Sequence, residues 1–183
     1  MIVANRYAKS LLELAIEKGQ LEKVFADMQY MQDVYSGSRE FANFLSSPII
    51  KTDKKQAVLK SVFGNSISEM SQDFFHILTG KRRESYLGDI AKSFIAQYKE
   101  YKHITTAVVT SAAGIDAAAR AKILEIVKQS AKGEVELVEK VDKDLIGGFV
   151  LRIGDKQVDA SISRKLNELR KAFSENPNAI NIN

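Results

Sequence analysis

The hydrophobic period of the chain changes near His103, and that change limits the possible fold more than any single motif does. Before it, apolar residues recur at steps of three and four, the spacing of one helix face, in six successive segments. After it, Ile104 to Ser111 and Val135 to Val141 are rich in β-formers, and they flank a helical pattern carrying Ile123, Ile126 and Val127. Asp116 is placed to cap that helix and Gly133 to end it. The expected fold class is mainly α with a smaller α/β part: a six-helix N-terminal bundle over residues 1–105, then a small C-terminal α/β domain with a β-hairpin over residues 106–183. The junction is a change of architecture, not a Pro/Gly linker.

Tyr7, Ala8, Leu11, Leu14 and Ala15 form a stripe on the first helix, which ends near Gly19, while Leu12 and Ile16 widen its apolar surface to a second face. A helix carrying Leu21, Val24, Phe25, Met28, Met31 and Tyr35 stops at Ser36-Gly37-Ser38, and its methionines read as core fillers. Phe41, Phe44 and Leu45 mark a short third helix stopped before Pro48, because proline disfavours helical geometry in the residue preceding it. Thr52 is the expected cap of a fourth helix ending at Gly64. Ser66-Ile67-Ser68-Glu69 has the spacing of a capping box for a fifth helix that runs to about Thr79 and is closed by Gly80. Phe74, Phe75, Ile77 and Leu78 cover more than one face of it, so it is either central or lines a groove. The sixth helix, Leu87 to Tyr101, is expected to be the longest.

In the second part, Asp142-Lys143-Asp144 turns the chain into a buried strand, Phe149 to Ile153, bounded by Gly148 and Gly154. Gly154-Asp155 suits a two-residue hairpin, and Lys156 to Ala160 returns the chain. Ile162, Leu166, Leu169 and Phe173 then recur at helical spacing, which predicts a closing helix laid on that hairpin. The glycines do not make a phosphate loop. That loop needs Gly-x-x-x-x-Gly-Lys followed by Ser or Thr, whereas here Lys156 precedes Gln157. Residues 176–183 read as a frayed tail.

Nothing in the pattern points to chemistry. There is no cysteine, hence no disulfide, thiolate metal site or cysteine nucleophile. His76 and His103 lack the spacing of converging metal ligands, no Gly-x-Ser-x-Gly elbow exists, and Asp142 and Asp144 sit where aspartate favours a turn. No cofactor or metal is expected. The charged residues among the first nineteen argue against a signal peptide, and no window has the apolar length of a membrane span. The net charge of +4 raises the question of nucleic acid, with Lys81-Arg82-Arg83 as the compact cluster and Lys51, Lys54, Lys55 and Lys60 on a helix nearby. Acids are interleaved throughout, so solvated faces are the favoured reading, and a basic helical nucleic-acid-binding protein is kept as the alternative.

Asp144 to Ser161, with Leu166 and Leu169, closely resembles the C-terminal region of the delta subunit of F-type ATP synthases, the family of the oligomycin-sensitivity-conferring protein. The resemblance extends over nearly the whole chain. Arg6-Tyr-Ala-Lys-Ser-Leu-Leu-Glu-Leu-Ala15 resembles the family's first helix, and Phe44-Leu45 with Ser47-Pro48 its helix-three exit. Leu78 with Lys81-Arg82 resembles the end of its fifth helix, although Gly80 and Arg83 replace the usual Asn-Gly-Arg pattern.

The resemblance implies a non-catalytic stator subunit of a proton-translocating synthase, a monomer within the complex. Its helical domain would sit on the catalytic head, and its smaller domain would meet the C-terminal ends of the peripheral stalk's b subunits. The groove between the first and fifth helices would take the amphipathic N-terminal helix of an alpha subunit. Carried onto this chain, the candidate contacts are Tyr7, Ala8, Leu11, Phe74, Ile77 and Leu78. The resemblance further implies a place on the cytoplasmic face of a bacterial plasma membrane, with membrane contact only through the complex and no nucleic acid.

Overall fold

The computed structural model describes residues 2–112, 114–115, 117–130, 134–143, 145–154 and 156–175. The expected cap Asp116, the helix end Gly133, the turn residues Asp144 and Asp155 and the tail 176–183 lie outside these residues, as do the side chains of Ile126 and Phe173. The chain divides into two compact units, Met1–Tyr101 and Lys102–Asn183.

The first unit is helical. It contains α1 (Ile2–Glu17), α2 (Leu21–Gly37), α3 (Arg39–Ser46), α4 (Thr52–Phe63), α5 (Glu69–Gly80), a single 3-10 turn (Glu84–Tyr86) and α6 (Leu87–Tyr101). Among these α2, with 17 residues, exceeds α6, with 15, contrary to the sequence expectation.

These helices bury only part of the stripes that periodicity defines: in α1, Leu14 of the expected stripe is 41% exposed, whereas Leu12, on the second apolar face, is buried. In α1 the buried residues are Ala4, Ala8, Leu11, Leu12 and Ala15, so most of the face turned inward is alanine. Small side chains permit close helix approach, and α1 packs against α6, which buries Ile90, Ala91 and Phe94. Phe63 is the aromatic centre. It lies edge-on to Tyr30 and Phe75, with ring centroids 5.5 and 5.8 Å away, and Phe41 lies 6.0 Å away at a tilt.

Two buried polar clusters join helices distant in sequence. The Asp27 carboxylate on α2 accepts hydrogen bonds from the Ser68 amide at 3.0 Å, the Ser68 hydroxyl at 2.5 Å and the Ser71 hydroxyl at 2.6 Å. A negative group is thereby fixed at the N-terminus of α5, where free amides and the helix dipole favour it. The expected capping box of Ser66 and Glu69 is not formed. The Ser66 and Ile67 amides return to the Phe63 carbonyl, and α5 starts two residues later with Ser68 as its cap. Thr52 likewise is the first residue of α4 rather than its cap, a position taken by Lys51.

The second cluster is an ion pair. Lys55 Nζ lies 2.6 Å from Glu84 Oε1 and also donates to the Leu45 carbonyl at 2.8 Å. Lys55 is only 2% exposed, so it is no part of the basic surface in which the sequence reading placed it.

The second unit runs β1 (Thr105–Ser111), α7 (Ala117–Ser130), β2 (Val135–Val141), β3 (Phe149–Ile153), β4 (Lys156–Asp159) and α8 (Ile162–Glu175). The strand order is β2-β1-β3-β4: β1 pairs parallel with β2 through the α7 crossover and antiparallel with β3, and the β3–β4 hairpin closes the sheet. Alternation along β1 buries Ala107 and Val109, which form a core with Leu151 of β3 and with Ile123 and Val127 of α7.

The expectation that α8 lies apolar side down on the hairpin is corrected. Ile162, Leu166 and Leu169 are 44%, 52% and 54% exposed, so its apolar stripe faces solvent. The core contributed by β1 and β3 is met by Ile123 and Val127 of α7, not by this stripe. What fixes α8 is its start. The buried Ser161 hydroxyl accepts from the Arg164 amide, and the Ser161 amide donates to the Asp159 carboxylate at 2.9 Å. Hydrogen bonds from the Ser161 side chain and then its backbone hold the Asp159 carboxyl below its ordinary range.

Candidate helix-docking surface

The six candidate residues divide by burial. Ala8 and Leu78 are fully buried and Leu11 is 2% exposed, so these three belong to the helical core. Tyr7 and Phe74 are half-buried, and Ile77 is 51% exposed. The structure brings Tyr7 and Phe74 together edge to face, with centroids 6.4 Å apart and planes at 68°. Such contacts are favourable because the positive ring edge meets the negative ring face.

Helical spacing extends this pair into two stripes. Val3 and Leu14 stand one and two turns from Tyr7 on the same face of α1, and Leu14 is 41% exposed. Met70, Phe74 and Ile77 share a face of α5. The side of α1 and α5 that carries these residues therefore presents an apolar seam that this unit only half covers, with Leu14 and Ile77 its most exposed members. Val3, Leu14 and Met70 are absent from the candidate set, although steps of four and seven from Tyr7 and Phe74 would have found them.

Arg83 is a further residue of the site that the helical pattern could not reveal, because it follows the end of α5. Its guanidinium carbon lies 5.5 Å from the Tyr7 ring centroid, and its Nη1 donates to the Tyr7 hydroxyl at 3.1 Å. Local backbone geometry puts it there. The helix is closed by Arg82 in the left-handed region, φ 54°, and not by Gly80; the Arg83 amide then returns to the Leu78 carbonyl at 2.9 Å.

On another side of α5 a cavity of about 490 Å³ opens toward α4, with Phe63 and Phe75 among its lining residues and Asp53 and Asp73 also beside it. Two amides in its wall are committed: Gln56 to the Thr79 hydroxyl, and Gln72 to the Gly64 and Ile67 carbonyls. Among the described residues no group of three or more His, Asp or Glu side chains could hold a metal ion. His76 and His103 are both exposed.

A helical unit with an open apolar seam, followed in the chain by an α/β unit whose last helix turns its apolar stripe outward, defines a class of two-unit protein distinguished by exposed helix faces. The family model described as "ATP synthase delta (OSCP) subunit" matches residues 3–173. ATP synthase subunit delta of Cytophaga hutchinsonii is 38% identical over 94% of this chain and 94% of its own, and that of Christiangramia forsetii is 37% identical with the same coverage. A chain in the cryo-EM structure of the Toxoplasma gondii mitochondrial ATP synthase hexamer shares the fold, with a TM-score of 0.71 at 22% identity, over 93% of this chain and 97% of that one. The chain belongs to the ATP synthase delta (OSCP) subunit family, and is a structural stator component of F-type ATP synthase, not a catalytic one.

Proposed function

We propose that the chain is the link between the catalytic head and the peripheral stalk, each unit gripping one partner so that rotor torque is resisted. In this reading the helical unit acts as a six-helix bundle that receives the N-terminal amphipathic helix of an alpha subunit along α1 and α5. The α/β unit holds the C-terminal ends of the b subunits. The protein works as a monomer in the complex on the cytoplasmic face of a bacterial membrane, and touches the membrane only through its partners. No helix among the described residues is long and apolar enough to cross a membrane.

The observation that carries the reading is the half-covered apolar seam of Tyr7 and Phe74 with the exposed Ile77 beside it. An amphipathic helix binds by laying apolar positions spaced three and four apart into such a surface, and half-buried aromatics supply contact area at low entropic cost. The stripe of Ile162, Leu166 and Leu169 on α8 is the corresponding feature of the second unit, and suits a helical stalk segment.

Titrating the full-length chain with a synthetic peptide of the alpha N-terminal segment tests the first grip. Tyr7→Ala and Ile77→Asp are each expected to weaken binding at least about tenfold, the scale of losing a central contact or burying an unpaired charge. Leu166→Asp should leave the peptide's affinity unchanged while weakening a fragment taken from the C-terminal end of the b chain. Unchanged affinity in both Tyr7→Ala and Ile77→Asp contradicts the docking assignment.

A further inference from the structure

Arg83 is exposed, yet it is held more firmly than a surface arginine needs to be. Its amide bonds the Leu78 carbonyl, its own carbonyl accepts from the Tyr86 amide at 3.1 Å, and the next residue, Glu84, is anchored by the buried pair with Lys55. The guanidinium is fixed in turn by the Tyr7 ring and hydroxyl. Only one of its five N–H donors is used by a side chain, and no carboxylate among the described residues pairs with it. Lys81 and Arg82 beside it are also exposed and form no ion pair among the described residues. Of the three, Arg83 is the one whose contacts put a positive charge at the border of the seam, next to Tyr7. A planar guanidinium with free donors, already ordered and partly desolvated by an aromatic ring, is suited to a carboxylate that arrives with an apolar surface.

We propose that Arg83 is the specificity-determining residue of the α1–α5 surface, and that the amphipathic helix docked there carries an Asp or Glu flanking its apolar stripe whose carboxylate pairs with Arg83. The inference rests on the docking proposed above and adds to it the charge pattern of the occupant. Apolar contacts along Tyr7, Phe74 and Ile77 supply adhesion but accept many apolar helices in several registers. A single fixed cation at one border selects helices with acid at that border and fixes how far along the groove they sit.

The test uses the full-length chain and two peptides: the alpha N-terminal segment of the same complex, and the same peptide with every Asp and Glu changed to Asn and Gln. The wild type should bind the acidic peptide about fivefold more tightly than the amide form, the worth of one rim ion pair, and added salt should narrow the ratio. Arg83→Gln should bring the ratio to about one, and Arg83→Lys should retain part of it. A structural role alone would weaken both peptides equally and leave the ratio intact, so an unchanged ratio in Arg83→Gln overturns the proposal. So does an alpha N-terminal segment with no acidic residue beside its apolar stripe. Ile77→Asp separates the two claims: if it weakens neither peptide, the docking itself is wrong, whereas if it weakens both and the ratio ignores Arg83, only the present inference falls.

Discussion

Lys55 and Glu84 show how a single pair can fix a functional surface from below. Both side chains are buried, and Glu84 Oε2 has no hydrogen-bond partner, so the carboxylate depends heavily on Lys55. Lys55→Met should destabilise the chain by about 3–5 kcal/mol, because a buried charge is left uncompensated. Urea unfolding would read the loss, and a midpoint equal to wild type would contradict this account of the pair. Arg82 provides the opposite case. A non-glycine residue at φ 54° is strained, and glycine adopts that conformation freely. Arg82→Gly is therefore expected to stabilise the helical unit by about 1 kcal/mol while leaving the Arg83 contacts in place, and a lowered thermal midpoint would count against this reading of the turn.

At the scale of elements, Gly148 shows why the glycines between β2 and β3 are needed. It has φ 79°, and a Cβ there would lie 2.4 Å from the Ala160 carbonyl oxygen, where the chain enters α8. Gly148→Ala should cost about 2 kcal/mol or more through backbone strain and the clash, and should loosen the anchoring of α8 as read by hydrogen exchange at its first turn. Full protection of that turn in the variant would refute the link.

The glycine was visible in the sequence as the start of a strand, but its close approach to Ala160 was not, because a contact between residues so far apart in the chain leaves no periodic trace. The same limit separates what could be read elsewhere. Helix order and the strand succession followed from periodicity, which is local. The Ser68 cap of α5, tied down by Asp27, did not, since the carboxylate that accepts from the Ser68 amide and hydroxyl comes from α2. For α8 the stripe of Ile162, Leu166 and Leu169 was plain, yet whether it faced the sheet or solvent depended on what α7 had already covered. In the candidate site, periodicity showed only that α5 carries apolar residues on more than one face and that Leu12 and Ile16 widen the apolar surface of α1; Tyr7, Phe74 and Ile77 were singled out by the family resemblance. The buried fate of Ala8, Leu11 and Leu78 was decided by packing.

For the whole molecule, the proposed role requires two surfaces on one chain that can be occupied together, the α1–α5 seam in the helical unit and the α8 stripe in the other. A variant in one should spare the other. Sedimentation of the catalytic head of an F-type ATP synthase with the full-length chain and a fragment from the C-terminal end of the b chain tests this directly. One ternary boundary containing all three is expected. Ile77→Asp should release the head while keeping the b fragment, and Leu166→Asp should release the b fragment while keeping the head. If the head and the b fragment co-sediment equally well without the chain, or if both variants still bridge them as the wild type does, the chain is not the link proposed here.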